Sequence, residues 1–169
     1  MFKYEPVELS GLDKNKRSEK FSMALNLSEK AINSEEFELW FCSVVFTQLG
    51  NNSKLTNQEL LNKLRRETHF SYSVVPRPWY KRFSSVVGWT SFCNRMIDKI
   101  GLKSIPFVYT YSDQFDGMSV QGLSGHLAHE VACHGNYFSH DFNWSKARDM
   151  SLPYRVGNWV EAYSGKNLI

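Results

Sequence analysis

Four of the five histidines of this chain lie close together in the sequence. They are His126, His129, His134 and His140, and Glu130 directly follows the second of them. Imidazole nitrogens are common protein ligands for zinc and other transition metals. A cluster of four histidines with a carboxylate among them therefore predicts a metal site in this part of the chain.

The chemistry of such a site follows from its ligands. Catalytic zinc usually has three protein ligands and a water molecule in the fourth position. The metal lowers the pKa of that water to about 7, so that hydroxide is available at neutral pH. A carboxylate beside the metal, but not bound to it, can accept the proton as general base. Glu130 is the candidate for this role.

The spacing of the cluster differs by one residue from a familiar zinc motif. In H-E-x-x-H the two histidines are one helical turn apart, whereas this chain has the sequence HEVACH from His129 to His134. On a regular α-helix these two histidines point about 140° apart and cannot bind one ion. Either a π-bulge brings His134 onto the face of His129, or Cys133 is the second ligand. His126 lies on the same face and is a further candidate ligand.

The residues downstream favour the π-bulge. His134 and His140 are six positions apart, as in the second half of the H-E-x-x-H-x-x-G-x-x-H signature. In that signature the chain turns at the glycine and returns a third histidine to the metal. Tyr137 occupies the glycine position here, and Gly135 and Asn136 precede it. Because both tolerate positive φ, we expect the turn to shift to these earlier residues.

The segments before the cluster differ in character. Residues 1–20 are polar and aperiodic, which predicts an irregular arm, and residues 21–70 have a helical pattern. Ser34 precedes an acidic first turn, as a helix N-cap does. Thr56 and Glu59 have the spacing of a capping box. We therefore expect the N-terminal part to be helical.

Short runs of β-branched and aromatic residues follow in the middle of the chain. Residues 84–90 (SSVVGWT) and 105–111 (IPFVYTY) are typical of strands, and residues 92–97 predict a further strand or a short helix. Ser119 is placed as the N-cap of a helix that runs to about His134. No repeat or linker divides the chain, so we expect one α+β domain over residues 1–169.

The composition excludes several classes of protein. Of the 169 residues, 42% are hydrophobic and 15% aromatic, which is incompatible with an intrinsically disordered chain. The net charge of +3 arises from scattered basic residues, which disfavours nucleic-acid binding. The three cysteines form no C-x-x-C pair and are odd in number, which indicates reduced thiols.

The sequence also bears on location. No apolar run approaches the ~18 residues needed to span a bilayer, and the first 20 residues lack the apolar segment of a signal peptide. We therefore expect no membrane partner. A cytoplasmic location is the default expectation, with non-classical release as the alternative.

A second motif lies downstream of the histidines, where residues 148–157 have the sequence RDMSLPYRVG. Together with HEVACHGNYFSHDF, it resembles the zincin metallopeptidases. It is more narrowly similar to small bacterial and phage-type zincin-like proteins with HE-W-x-H-x-x-G-[FY]-x-H and R-x-x-S-V-P-Y-x-x-G motifs. The resemblance covers residues 84–162, and residues 87–90 with Asn94 are similar to the edge-strand region of that group.

The resemblance implies a zincin-like α+β fold with a small twisted sheet, a metal-binding helix and a helical N-terminal part. It also implies that Zn²⁺ is held by His129, His134 and His140, with Glu130 as general base and a peptide or protein as substrate. The S-x-P-Y segment would form a turn beneath the metal. Tyr154 would pack there or donate a hydrogen bond to the oxyanion.

Two functions follow from these residues. The first is a zinc-dependent hydrolase, specifically a metallopeptidase, in which zinc-bound water attacks a peptide carbonyl and Glu130 transfers the proton. The second is a catalytically inactive zincin-like binding or assembly module with a structural metal or none. Four protein ligands would close such a site, for example by the addition of His126 or Cys133. An exchangeable water on the metal distinguishes the two functions.

Overall fold

A four-stranded mixed sheet forms the centre of the molecule. In a computed structural model, which describes residues 1–13, 16–81, 87–92, 105–138, 140 and 145–167, its strands have the order β1-β2-β4-β3. Strands β1, β2 and β4 are parallel, and β3 is antiparallel to β4. The strands are β1 (Tyr4–Ser10), β2 (Thr68–Val75), β3 (Gly88–Phe92) and β4 (Pro106–Tyr111).

Seven α-helices accompany the sheet in the described part of the chain, which confirms the predicted α+β class. They are α1 (Arg17–Asn33), α2 (Glu35–Ser43), α3 (Asn57–Leu64), α4 (Ser112–Gly117), α5 (Val120–Leu127), α6 (Lys146–Asp149) and α7 (Leu152–Lys166). A π-helical segment, Ala128–His134, continues α5. None of the helices in these ranges is long and apolar enough to cross a membrane.

Three of the helices begin at the caps that the sequence predicts. The Ser34 hydroxyl accepts a hydrogen bond from the backbone N–H of Phe37. Thr56 and Glu59 form a reciprocal capping box at the start of α3. Ser119 accepts from the backbone N–H of Gly122 at the start of α5. Each cap satisfies backbone donors that a helix start leaves without a partner inside the helix.

The N-terminal segment differs from the expected irregular arm at residues 1–20. Residues 4–10 form strand β1, and α1 begins at Arg17. Tyr4 is the one buried residue of β1, and Glu5 and Glu8 interrupt its apolar residues, so no alternating pattern marks the strand. The strand forms because it pairs in parallel with β2, which begins at Thr68, far along the chain.

The strand predictions have mixed outcomes. The strand expected over residues 105–111 is confirmed as β4. Of the strand expected over 84–90, Gly88 onward is present as β3, whereas residues 82–86 lie outside the described residues. Most of the element expected over 92–97 lies outside them as well. The helical stretch expected over 21–70 contains three helices, but β2 begins at Thr68, before that stretch ends.

One face of the sheet supports the helix that carries the histidines. Tyr72 of β2 packs against Phe21 of α1, with ring centroids 4.6 Å apart. The Tyr72 hydroxyl donates to Oγ1 of Thr110 on β4, and this oxygen lies 2.9 Å from Nε2 of His126 on α5. Helices α1 and α5 therefore cover the same face. The core extends from this face and includes many fully buried aromatic side chains.

Candidate metal centre

The helix that carries the histidines changes its hydrogen-bonding pattern at the site. We call α5 together with the π-helical segment (residues 120–134) the site helix. A π-helix closes each turn one residue later than an α-helix, so residues five positions apart approach one face. The predicted π-bulge is therefore present. It brings the ring of His134 to a centroid distance of 5.1 Å from that of His129.

The turn after the site helix lies later than expected. Gly135 keeps a right-handed helical backbone, and the left-handed residue is Tyr137, with φ of 63°. Tyr137 occupies the glycine position of the long signature, so the expected shift to Gly135 and Asn136 is wrong. A β-carbon disfavours this conformation. Backbone hydrogen bonds from Tyr137 to His134 and from Phe138 to Cys133 hold it in place.

Asn136 attaches this turn to the N-terminal half of the molecule. Its buried side-chain nitrogen lies 2.8 Å from the carbonyl oxygen of Ala132, 3.0 Å from Oγ1 of Thr68 and 3.3 Å from the carbonyl oxygen of Leu64. Thr68 begins β2 and Leu64 ends α3. Sequence reasoning gave Asn136 no such role, because its partners lie far away in the chain.

The three histidine rings of the turn and site helix surround one point. The ring centroids of His129, His134 and His140 lie 5.1 to 5.2 Å apart, and one potential ligand atom of each lies within 4.8 Å of the others. The Nε2 atoms of His129 and His140 are 3.2 Å apart. Two nitrogens bound to a tetrahedral zinc ion are separated by about 3.3 Å. These three side chains could hold a metal ion, and zinc fits the donor set.

The hydrogen bond of His134 and the burial of His129 suit metal binding. Nδ1 of His134 lies 2.6 Å from the carbonyl oxygen of Phe138. Because a carbonyl oxygen only accepts hydrogen bonds, Nδ1 donates to it, and Nε2 is the ring nitrogen available to a metal. Burial lowers the pKa of His129 to about 3, despite the nearby carboxylate of Glu130. His129 is therefore neutral at pH 7, as a metal ligand must be.

Glu130 lies on the side of the site helix that faces β3, the strand at one edge of the sheet. Its carboxylate is buried, and its Oε2 accepts a hydrogen bond from Oγ1 of Thr90 on β3. Burial alone would raise the pKa of this carboxyl, but His129, His126 and His134 together with the Thr90 hydroxyl lower it below its usual value. Glu130 is therefore an anion that can accept a proton. Sequence reasoning placed Thr90 only in the edge-strand region and gave it no contact with Glu130.

Tyr154 of α7 packs against the histidine group. Its ring lies edge to face with His129 and His140, at centroid distances of 4.6 and 4.8 Å. The guanidinium of Arg148 lies 4.5 Å from the centre of the same tyrosine ring. Burial raises the pKa of Tyr154, so the hydroxyl keeps its proton at pH 7. Tyr154 thus restrains two of the three imidazole rings.

The S-x-P-Y segment is the start of a helix and not the turn that the resemblance implies. Ser151 is the N-cap residue of α7, and Pro153 lies in the first turn. Proline suits this place because its missing N–H would have no partner within the helix. The first turn of α7 is therefore the element that presents Tyr154 to the histidines.

Two further candidate ligands lie outside the group of three histidines. Cys133 is completely buried in the hydrophobic core, and burial raises the pKa of its thiol well above the usual value. Such a thiol is protonated and a poor metal ligand. Nε2 of His126 forms a hydrogen bond with Oγ1 of Thr110 on β4. Among the residues that the structure describes, no fourth histidine, cysteine or acid joins the group.

Comparisons with protein-family models, curated proteins and solved structures found no match to this chain. The candidate site consists of the three converging histidines, Glu130 with its hydrogen-bond donor Thr90, and Tyr154, which packs against His129.

Proposed function

We propose that the protein is a zinc-dependent hydrolase, specifically a metallopeptidase. One observation carries this proposal: three histidine nitrogens converge, and the buried carboxylate of Glu130, which directly follows His129, interacts electrostatically with His129 and His134 without being part of the ligand group. Three protein ligands leave one tetrahedral position for water, which is typical of catalytic zinc. Structural zinc normally has four protein ligands, whereas this group has three among the described residues, which favours catalysis.

The chain contributes the proton transfers of the reaction. Zinc held by His129, His134 and His140 would supply an acidified water molecule and would polarise the substrate carbonyl. Glu130 accepts the proton of the attacking water and returns it to the leaving amine. Tyr154 holds the rings of His129 and His140 in place, and its hydroxyl still carries the proton needed to donate to an oxyanion.

The position of β3 at an edge of the sheet favours a peptide as the substrate. Among the described residues β3 pairs on one side only, with β4. An extended peptide can add to such an edge through backbone hydrogen bonds. Thr90 of β3 contacts Glu130, so a peptide on this edge runs close to the general base.

The non-catalytic alternative requires a different set of contacts. A closed structural site needs a fourth protein ligand, and the two candidates named for it, His126 and Cys133, do not belong to the group of three in the described part of the chain. The described residues therefore favour an open site, which is the arrangement that the proposed catalytic function requires.

The test combines metal analysis with peptide cleavage. We expect about one zinc per chain in the native protein and in Glu130→Gln. We expect cleavage of a mixed peptide library, followed by mass spectrometry, to fall at least 100-fold in Glu130→Gln, because a general base contributes about 10²- to 10⁴-fold. His129→Ala is expected to lose both zinc and activity.

The matched control for this experiment is Glu36→Gln, which removes an exposed carboxylate in the first turn of α2. This variant should cleave at the native rate. Cleavage at the native rate by Glu130→Gln, or a native protein that takes up no zinc, would contradict the proposed function.

A further inference from the structure

One hydroxyl group joins the edge strand to the proposed general base. Oγ1 of Thr90 lies 2.5 Å from Oε2 of Glu130 and 3.3 Å from the carbonyl oxygen of the same residue. A threonine hydroxyl has one hydrogen, and the shorter distance assigns it to the carboxylate. A hydrogen bond from a hydroxyl to an ionised carboxylate is among the strong kinds of hydrogen bond.

The buried position of Glu130 makes this contact important. Only 9% of the residue is exposed, so water cannot readily replace a lost donor. In the described ranges Thr90 is the hydrogen-bond donor to the Glu130 carboxylate, and its hydroxyl engages Oε2.

The place of Thr90 in the sheet separates its side chain from the outer edge. Thr90 pairs with Val108 of β4, and its side chain points to the helices, where it meets Glu130. A peptide that adds to β3 would bond to the backbone at the outer edge. The hydroxyl of Thr90 therefore acts on Glu130 and not on a peptide bound at that edge.

We infer that Thr90 is a positioning residue that fixes the carboxylate of Glu130 for proton transfer. This inference rests on the proposed hydrolase function. The edge strand then has two roles, because its backbone binds the peptide and its central side chain orients the general base. Loss of the hydroxyl should slow the chemical step and leave both substrate binding and metal binding intact.

The experiment compares Thr90→Val, which removes the hydroxyl at nearly constant volume, with Thr90→Ser, which keeps it. For Thr90→Val we expect kcat to fall about 10- to 100-fold, the range for loss of a hydrogen bond to a charged group. We expect KM within twofold of native and an unchanged zinc content. Thr90→Ser should restore kcat to within about threefold of native, which a purely structural role of the methyl group would not explain.

Two additional variants make the result specific. Thr90→Ala should show the same loss of kcat as Thr90→Val, and it replaces that variant if valine disturbs the strand. In a Glu130→Gln background, Thr90→Val should cause no further loss, because residues that act as a unit are not additive.

Each outcome separates this inference from the proposed function. Full activity of Glu130→Gln would overturn the proposed function and the inference with it. An inactive Glu130→Gln with native kcat in both Thr90→Val and Thr90→Ala would overturn the inference alone. A raised KM with native kcat in Thr90→Val would place the hydroxyl on the substrate and would likewise overturn it.

Discussion

The hydrogen-bond partners of each histidine decide its role. His134 uses Nδ1 to contact a backbone carbonyl, which orients the ring and leaves the other nitrogen for a metal. His126 uses Nε2 to contact Thr110, so that nitrogen already has a hydrogen-bond partner on β4. His69 is exposed on β2. Residue type alone makes all of them candidates, and the local contacts separate ligands from other histidines.

The two arrangements that the sequence left open can be tested with a pair of variants. We expect His134→Ala to weaken zinc binding at least 100-fold, because it removes one of three converging nitrogens. Cys133→Ala should bind zinc as tightly as the native protein and cost only about 1 kcal/mol of stability, as a small buried side chain does. Competition for zinc with a chromophoric chelator measures both affinities. Loss of zinc in Cys133→Ala with retention in His134→Ala would contradict this assignment.

The histidine group was predictable from sequence because its members are local. His129 and His140 are eleven positions apart, so one helix and one turn determine their geometry. The contacts of Thr90 and Asn136 span 40 and 68 positions respectively. No spacing rule connects residues so far apart, and their roles become visible only when the sheet brings the segments together.

Close packing between two helices brings α7 to the candidate metal centre. A β-carbon on Gly125 of the site helix would lie 2.7 Å from the carbonyl oxygen of Gly157, and one on Gly157 would lie 3.2 Å from Cβ of His129. Side chains at these positions would force the helices apart. Because both residues are glycine, Tyr154 of α7 can contact His129.

This packing predicts opposite effects for two glycine-to-alanine changes. Gly125→Ala should lower the free energy of unfolding by about 1–2 kcal/mol, because overpacking against backbone exceeds the gain in helix propensity. Gly165→Ala is the matched control, since a β-carbon there meets no atom within 4 Å, and it should raise stability by up to about 1 kcal/mol. Urea denaturation measures both. Equal stabilisation by the two changes would show that α5 and α7 do not pack this closely.

Elements with local signals were predictable, and elements without them were not. The caps at Ser34, Thr56 and Ser119 depend on residues three positions apart, and all three are present. The one residue by which the spacing of His129 and His134 exceeds that of H-E-x-x-H predicted the π-bulge, which is present. Strand β1 was missed because it is exposed and carries acidic residues. Its partner strand lies beyond three helices, and local patterns contain no information on that pairing.

At the scale of the whole molecule, the candidate metal centre depends on segments from several parts of the chain. Thr90 of β3 supports Glu130, and α7 supplies Tyr154. Asn136 ties the turn before His140 to α3 and β2. A metal ion bound to His129, His134 and His140 would therefore restrain a structure that already includes the sheet and the N-terminal helices. Metal binding and global stability should be coupled.

This coupling predicts a large effect of zinc on thermal unfolding. A ligand that binds only the folded state at about 100 times its Kd stabilises that state by about 2.7 kcal/mol. For a chain of 169 residues this corresponds to a rise in Tm of roughly 5–10 °C. We expect differential scanning calorimetry to show this rise when zinc is added to metal-free native protein, and a chelator to reverse it. His140→Ala should fold without zinc but show no comparable rise, because two nitrogens remain. An equal rise in His140→Ala would mean that zinc binds elsewhere on the protein.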